Sequence, residues 1–148
     1  VLAGDLLALV ISGQEVRFWR WKTGYPAGRI SLPRGQSSGK PWRPAAAAGR
    51  LFVPLAGEES DWLVAVDIAA RRVLWTREVE TPVYTPCVAR EVVYLAAGSS
   101  LMALAAETGE LLWEREFPEQ ATTSPIAAGG AILCAFGDTL YKFVPEEG

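Results

Sequence analysis

The sequence predicts an all-β protein built from a repeated unit of about four antiparallel strands. In Leu101 to Glu116, two apolar strand-like runs flank the turn pair Thr108-Gly109, and a single large aromatic, Trp113, follows the turn. This pattern is typical of a β-hairpin. The same pattern occurs 38 residues earlier, in Leu63 to Glu78. A repeat near forty residues with several strands per unit predicts small sheets stacked in an array or a ring.

Alternating apolar residues predict one domain, 1–148, with units at about 1–32, 42–79, 82–117 and 120–148. The predicted strands are Leu6–Ile11, Val16–Trp21 and Arg29–Leu32 in the first unit; Trp42–Ala48, Leu51–Leu55, Trp62–Ile68 and Val73–Glu78 in the second; Val83–Ala89, Val92–Ala97, Ser100–Ala106 and Glu110–Phe117 in the third; and Thr122–Ala128, Ala131–Phe136 and Thr139–Val144 in the fourth. The first unit therefore lacks an opening strand and the last a closing one. Pro44, Pro86 and Pro125 recur near the start of a first strand, where proline is tolerated.

The two best copies resemble the quinoprotein-like (PQQ-like repeat) β-propeller family, whose blades carry a tryptophan-docking signature of the form A-x-D-x-x-T-G-x-x-x-W. The matching residues are Asp67 and Trp75 in one copy and Ala103, Thr108, Gly109 and Trp113 in the next. The resemblance implies radial four-stranded antiparallel blades, with the tryptophan of each blade packed against its neighbour. It also implies that about four blades form half of a larger ring. The family contains both dehydrogenases and inert scaffolds, so the fold alone does not determine activity.

Five residues depart from the signature in the first three units. Ala70-Arg71 stands where Thr-Gly is usual, and Ala105 occupies the aspartate position of the next copy. The first unit keeps Thr23-Gly24 but has Arg20 at the aspartate position and Gly28 at the tryptophan position. We therefore expect the first blade to dock less well than the others.

A half-ring would expose an apolar sheet face at each end, which predicts a covering partner. The partner could be a second copy, the remainder of a longer chain or another protein. Residues 16–57 contain eight basic residues and no acidic one, whereas residues 101–148 contain eight acidic and two basic residues. This asymmetry supports the hypothesis that the basic first blade of one copy meets the acidic last blade of another, closing a ring of eight blades.

Composition limits the function classes. No apolar run is long enough to span a membrane, and the family resemblance favours a bacterial extracytoplasmic location. Cys87 and Cys134 fall on different strand types of different units, which favours two free buried thiols over one disulfide. The absence of asparagine and the excess of arginine over lysine, 11 to 3, fit either thermal adaptation or a GC-rich genome.

The residues argue against catalysis. The chain has no histidine, so no Ser-His or Cys-His pair can form. The quinone-dependent members of the family hold calcium beside the cofactor, but this chain lacks asparagine and adjacent cysteines. Glu58-Glu59-x-Asp61 could begin a calcium site, although a solvated turn is the simpler interpretation. We therefore expect no enzymatic activity, no cofactor and no metal, and a quinone-dependent dehydrogenase fragment is a remote alternative.

Basic residues alternate with aromatic residues from Arg17 to Lys22, a pattern that suits stacking on nucleic-acid bases while phosphates are neutralised. A polyanion such as single-stranded nucleic acid is therefore one candidate partner of the segment 16–50. The alternative is that Phe18, Trp19 and Trp21 pack between blades while the arginines face the rim or an acidic protein. The candidate interface residues are Arg17, Trp19, Arg20, Trp21, Lys22, Arg34, Lys40, Trp42, Arg43 and Trp62.

Overall fold

The computed structural model describes residues 1–11, 15–32, 43–57, 60–80 and 82–145, and these residues form four antiparallel sheets. The strands are β1 Leu2–Ala3, β2 Leu6–Ile11, β3 Glu15–Arg20 and β4 Pro26–Ser31 in blade 1; β5 Ala45–Ala47, β6 Arg50–Leu55, β7 Asp61–Asp67 and β8 Arg72–Val79 in blade 2; β9 Cys87–Ala89, β10 Val92–Ala97, β11 Ser100–Ala105 and β12 Leu111–Glu116 in blade 3; and β13 Ile126–Ala128, β14 Ala131–Phe136 and β15 Thr139–Phe143 in blade 4. The strands of each sheet follow one another in chain order. None of the described residues is helical.

The first sheet contains one more strand than the sequence predicted. β1 pairs with β2 through Leu2 to Leu7 and Ala3 to Leu6. Two residues are too few to give a period-2 pattern, so sequence alternation could not identify this strand. Among the described residues, blade 1 therefore has an opening strand that the sequence did not predict.

The opening strands of the other blades are shorter than predicted because each starts after a proline. β5, β9 and β13 begin immediately after Pro44, Pro86 and Pro125. Proline has no N–H to donate to a strand ladder, so regular pairing begins one residue later. In blade 3 the residues before the proline contact the sheet outside the regular ladder, through a bridge from Val83 to Ala97 and a hydrogen bond from Tyr84 N–H to the Ala96 carbonyl at 3.0 Å.

Apolar clusters lie between consecutive blades and hold the array together. One cluster joins blades 1 and 2, a second joins blades 2 and 3, and two smaller clusters join blades 3 and 4. Both faces of the two central blades are buried, so Leu51 and Phe52, adjacent on β6, are both fully inaccessible to solvent. This arrangement is the radial sheet packing of a β-propeller, and it leaves blades 1 and 4 with one end face each.

The pairing between the third and fourth strands shifts at one place in each complete blade. The irregularity falls between Phe18 and Trp19, between Ala65 and Val66, and between Ala103 and Leu104. A bulge bends and twists its strand. In blades 2 and 3 the residue paired beside the bulge is the signature tryptophan, so the bulge sets how that side chain leaves the sheet.

Candidate interaction surfaces

Trp75 joins blade 2 to blade 3 through a hydrogen bond and a close aromatic contact. Its indole Nε1 donates to the carbonyl oxygen of Ala106 at 2.9 Å. The ring lies against Gly109, where an added Cβ would come within 2.6 Å of the indole Cδ2 atom. Gly109 has a φ of +76°, which glycine adopts without strain. Glycine is therefore required here both for the turn and for space, which explains the Thr-Gly pair.

Other residues support this junction. Thr108 Oγ1 accepts a hydrogen bond from the Glu110 backbone at 3.3 Å, and Arg77 donates to the Gly109 carbonyl at 3.1 Å. The Trp75 ring also lies 6.0 Å from the buried Phe52 ring on its own blade. We name this arrangement, a tryptophan packed on a glycine turn of the next blade, the tryptophan junction.

An arginine makes the equivalent connection between blades 1 and 2. Gly28 occupies the tryptophan position of blade 1, and Arg71 occupies the Gly109 position of blade 2. The Arg71 side chain fills the space beside Gly28, with Nε 3.1 Å from where a Cβ of that residue would be. Its guanidinium carbon lies 4.7 Å from the centre of the Phe18 ring, a cation–π arrangement.

The Arg71 guanidinium also replaces the hydrogen bond of the missing indole. Arg71 Nη1 donates to the carbonyl of Ile68, the residue equivalent to Ala106. Nε and Nη2 both donate to the Ala27 carbonyl of blade 1, at 3.2 and 3.1 Å. We name this arrangement the arginine junction. The sequence-based prediction of weaker docking in blade 1 rested on Arg20 and Gly28 at the aspartate and tryptophan positions, and it did not include Arg71 as a substitute for the indole.

At the third junction, Trp113 packs between Tyr94 and Phe143, with ring centres 6.1 and 6.3 Å away. Phe117 stacks on Phe136 at 4.0 Å, so aromatic contacts extend across blades 3 and 4. Residues 147–148, which align with Thr108-Gly109, lie outside the described residues. Ala103 is fully buried beside Trp113, and Asp67 accepts a hydrogen bond from the Ala70 backbone at 3.1 Å, which shapes its turn.

The outward face of blade 1 is largely apolar and uncovered. Strand register places Leu2, Leu7, Trp19 and Pro26 in one row across the sheet, and Leu9 lies in the next row. Leu9 is 42% exposed, whereas the residues at the same place in β6, β10 and β14 are at most 1% exposed. Those three residues are Val53, Leu95 and Cys134. Leu9 therefore occupies a position that is buried at every junction within the array.

The outward face of blade 4 has the same character. Leu140 is 66% exposed, while its equivalents Leu63 and Leu101 are fully buried under the next blade. Ile126 and Leu133 lie in a neighbouring row together with Lys142, which occupies the position of the buried alanines in blades 2 and 3. We call these two surfaces the blade 1 end face and the blade 4 end face.

The basic candidate residues of blade 1 do not form one cluster, and each makes a different contact. Arg17 lies on the blade 1 end face and pairs with Glu15 at 2.7 Å, and Arg20 pairs with Asp5 at 3.1 Å. Trp19 is half-buried on the same end face. Trp21 is 49% exposed, and the Lys22 ammonium lies 5.4 Å from its ring. Two of these three basic side chains, Arg17 and Arg20, therefore have acidic partners within the blade.

The remaining candidates lie elsewhere. Arg43 is exposed, and its backbone N–H donates to Thr85 Oγ1 at 3.3 Å. Trp62 is half-buried against the cluster between blades 1 and 2. Arg34, Lys40 and Trp42 lie outside the described residues, as do Glu58 and Glu59.

Asp61 corrects one sequence-based interpretation. The acidic group that includes it was interpreted as a solvated turn, but Asp61 is only 3% exposed. Its carboxylate accepts backbone hydrogen bonds from Gly57 at 3.3 Å and from Val83 at 3.0 Å. Asp61 therefore connects its own loop to the start of blade 3. Within the described residues, no group of three metal-ligating side chains is close enough to hold an ion.

Both cysteines are free thiols, with Cys134 buried and Cys87 half-buried. Burial raises the pKa of Cys87 to about 11, with a further contribution from the nearby Cys134. Burial also raises the pKa of Cys134, and this effect outweighs the opposing effect of the hydrogen bond with the Thr123 side chain. A thiol of raised pKa is a poor nucleophile near neutral pH.

The repeated sheets, the apolar junctions and the signature residues define a PQQ-like β-propeller. The sequence matches a family model described as outer membrane protein assembly factor BamB over residues 11–148, and the chain belongs to this family. A search of curated protein sequences finds no match. No helix in the described part of the chain is long and apolar enough to cross a membrane.

Solved structures confirm the fold. BamB from Moraxella catarrhalis is similar with a TM-score of 0.72 and 17% identity, over 97% of this chain and 45% of that one. The computationally designed Ika4 protein is similar with a TM-score of 0.75 and 9% sequence identity, over 97% of this chain and 87% of that one. Quinohemoprotein alcohol dehydrogenase ADHIIG from Pseudomonas putida HK5 is similar with a TM-score of 0.70 and 12% sequence identity. The similarity covers 97% of this chain and 32% of that one. This chain thus spans less than half of the BamB chain.

Proposed function

We propose that this chain is a non-enzymatic protein-interaction scaffold, whose two end faces bind further propeller blades or another protein. The exposure of Leu9 and Leu140 carries this proposal, because their equivalents at the junctions within the array are buried. Apolar sheet faces of this kind are typical of interaction surfaces. The family membership and the lack of histidine in the sequence support a role without catalysis.

Self-association is the simplest form of this proposal, since the two end faces match the two sides of an internal junction. The blade 4 end face corresponds to the side of blade 2 that meets blade 3. The blade 1 end face corresponds to the side of blade 3 that meets blade 2. By strand register, the blade 1 end face carries Arg17 and Arg29 with one acid, Glu15, which pairs with Arg17, and the described blade 4 end face carries Lys142, so the two faces do not have opposite charges. We therefore expect apolar contact to drive association, so that added salt does not weaken it. This differs from the opposite-charge closure that the sequence suggested.

Sedimentation equilibrium at micromolar concentration, at low and high salt, tests self-association. We expect a mass above that of one chain, and a shift towards the monomer for Leu9→Glu and for Leu140→Glu. Leu112→Glu is the matched control, because Leu112 is 51% exposed on the outer strand β12 and lies on neither end face. A folded monomer at every salt concentration contradicts self-association, and a dimer that dissociates with salt restores the opposite-charge hypothesis.

Polyanion binding by the basic segment 16–50 is the second candidate function. The observation in its favour is that Trp21 and Tyr25 are 49% and 70% exposed and that the Lys22 ammonium lies near the Trp21 ring, so exposed rings that could stack on bases occur in the same turn as a cation. The pairing of Arg17 and Arg20 with acidic residues argues against it. Fluorescence titration with a single-stranded oligonucleotide tests this function. Binding that falls steeply with salt supports it, and no binding at low salt excludes it.

A further inference from the structure

The turns between the first two strands of neighbouring blades are joined at one junction and separate at the next. Arg50, at the start of β6, donates to the carboxylate of Glu91 in the β9–β10 turn at 2.7 Å, which connects blade 2 to blade 3. Alignment of β6, β10 and β14 by their first residues places Val92 at the Arg50 position and Gly130 at the Glu91 position. Valine and glycine cannot form an ion pair, so blades 3 and 4 lack this connection.

Small residues in blade 4 leave a cavity where the connection is missing. Blade 4 has a smaller residue than blade 3 at four equivalent positions, which are Ala127 for Val88, Gly129 for Arg90, Gly130 for Glu91 and Ala131 for Val92. No atom beyond the chain neighbours of Gly129 or Gly130 lies within 4 Å of either Cβ position. The resulting cavity between blades 3 and 4 has a volume of about 950 Å³. Small-molecule sites are typically roughly 300–1,000 Å³.

The cavity has apolar walls and a single cation. Val92, Ala131 and Ile132 contribute to the aliphatic lining, and Arg90 is the one charged residue among the described lining residues. The neighbouring acid, Glu91, is paired with Arg50 of blade 2. The Arg90 guanidinium makes no ion pair with a described residue, so its charge is available to a ligand.

Tyr94 adds a hydroxyl that the packing of the blades does not require. The residue is only 4% exposed and lines the cavity, yet its hydroxyl makes no hydrogen bond to a described residue. The equivalent residue of blade 2 is Phe52, which lies 6.0 Å from Trp75 as Tyr94 lies 6.1 Å from Trp113. A phenylalanine therefore suffices for the aromatic contact. Since buried polar groups are normally hydrogen-bonded, the extra hydroxyl indicates a partner within the cavity.

The two polar groups act on the same space. Burial raises the pKa of Tyr94, and Arg90 opposes this increase, so the guanidinium lies near enough to the phenol to affect its charge. A guanidinium presents a planar pair of N–H donors that matches a carboxylate, and a phenol O–H donates one further hydrogen bond. Arg90 and Tyr94 thus offer donors to one anionic group.

We propose that the cavity between blades 3 and 4 binds a small aliphatic carboxylate. The carboxylate accepts hydrogen bonds from the Arg90 guanidinium and the Tyr94 hydroxyl, and the alkyl chain lies along the aliphatic walls. One unpaired guanidinium balances one negative charge, which favours a carboxylate over a phosphate ester of higher charge. This site adds small-molecule binding to the protein and does not involve either end face.

The experiment titrates the full ¹⁵N-labelled chain with sodium decanoate, below the concentration at which decanoate forms micelles. We expect saturable shifts of the amide signals of Arg90, Gly129 and Gly130. Two compounds with the same alkyl chain, 1-decanol and decyltrimethylammonium, are the ligand controls. They should bind at least about tenfold more weakly, because neither offers a negative charge to Arg90.

Single substitutions test the two polar groups. We expect Arg90→Gln to weaken decanoate binding at least about fivefold, and Tyr94→Phe to weaken it about fivefold through the loss of one hydrogen bond. Tyr94→Phe should fold, since Phe52 occupies the equivalent position of blade 2. Arg72→Gln, which removes an exposed cation that does not line the cavity, is the matched control and should leave the affinity unchanged.

A double variant tests the cavity itself. Val92→Arg combined with Gly130→Glu recreates the ion pair of Arg50 and Glu91 at the open junction. Glu91 has a φ of +64° and Gly130 a φ of +79°, so a glutamate is accommodated at this place in the turn. We expect this variant to fold, as circular dichroism would confirm, and to lose decanoate binding.

Several results would overturn the proposal. They are equal binding of the three decyl compounds, decanoate shifts centred on Leu9 or Leu140, full affinity in both Arg90→Gln and Tyr94→Phe, binding that survives the double variant, and no saturable shift at all. None of these results affects the scaffold, which is tested by the mass of the chain in solution. A chain that stays monomeric but binds decanoate through Arg90 keeps the carboxylate site and removes self-association.

Discussion

The tryptophan junction and the arginine junction fill the equivalent space between two blades, but the blade that supplies the large residue differs. At the first, the large residue, Trp75, belongs to the earlier blade and the small one, Gly109, to the later blade. At the second, the earlier blade supplies Gly28 and the later blade supplies Arg71. What is kept is the filled space and a donor for one carbonyl, since buried polar groups must be hydrogen-bonded.

The difference shows which physical requirement the signature serves. An indole fills the space with apolar surface and donates one hydrogen bond. A guanidinium is smaller in apolar area but supplies several donors, and Arg71 uses three of its nitrogens. Gly28 also has a φ of +119°, so its backbone differs from that of the tryptophan it replaces. The exchange therefore involves the backbone as well as the side chains.

Removal of the indole should have the largest effect. We expect Trp75→Ala to lower the free energy of unfolding by about 3 kcal/mol, because it removes a large aromatic side chain and leaves the Ala106 carbonyl without its donor. Urea denaturation followed by circular dichroism measures the change. Trp75→Phe, which keeps the ring but not the donor, is the control and should recover about half of the loss. A loss below about 1 kcal/mol for the alanine variant would contradict the tryptophan junction as described.

Removal of the guanidinium should have a smaller effect. We expect Arg71→Ala to lower the free energy of unfolding by about 2 kcal/mol, since it leaves two carbonyls unpaired and removes the contact with Phe18. The same urea experiment applies. The neighbouring Arg72 is exposed, and Arg72→Ala is a matched control that should change stability by less than about 0.5 kcal/mol. Equal effects of the two variants would mean that Arg71 does not bridge the blades.

The smallest effect concerns pH and distinguishes the third junction from the other two, because both free cysteines, Cys87 and Cys134, lie in the clusters between blades 3 and 4. Cys87, which packs with the cluster between blades 3 and 4, has its pKa raised from 9.0 to about 11. The unfolded thiol therefore ionises first, and stability should be constant below pH 9 and fall between pH 9 and 11.

Thermal unfolding from pH 8 to pH 11 measures this slope. Cys87→Ala should reduce the slope without abolishing it, because burial also raises the pKa of Tyr84, Tyr94 and Cys134. An unchanged slope in the alanine variant would show that Cys87 ionises no differently in the folded and unfolded states.

Much of the fold could be predicted because each repeat has recognisable local sequence patterns. The alternation of apolar residues located the strands, and the spacing of Trp75 and Trp113 located the blades. β1 was missed because two residues carry no period, and Asp61 was misinterpreted because its backbone partner, Val83, is 22 residues away. A hydrogen bond between residues so far apart in the chain cannot be predicted from the local sequence pattern.

Local sequence patterns are enough to identify the repeated unit, its strands and the residues that depart from the signature. Gly28 and Arg71 were both visible as departures, yet only the tertiary structure places them against each other, 43 residues apart. The same holds for Leu9 and Leu140, whose exposure depends on which blade faces are covered. Strand formation is decided by neighbours in the chain, whereas contact between blades is decided by the packing of whole sheets.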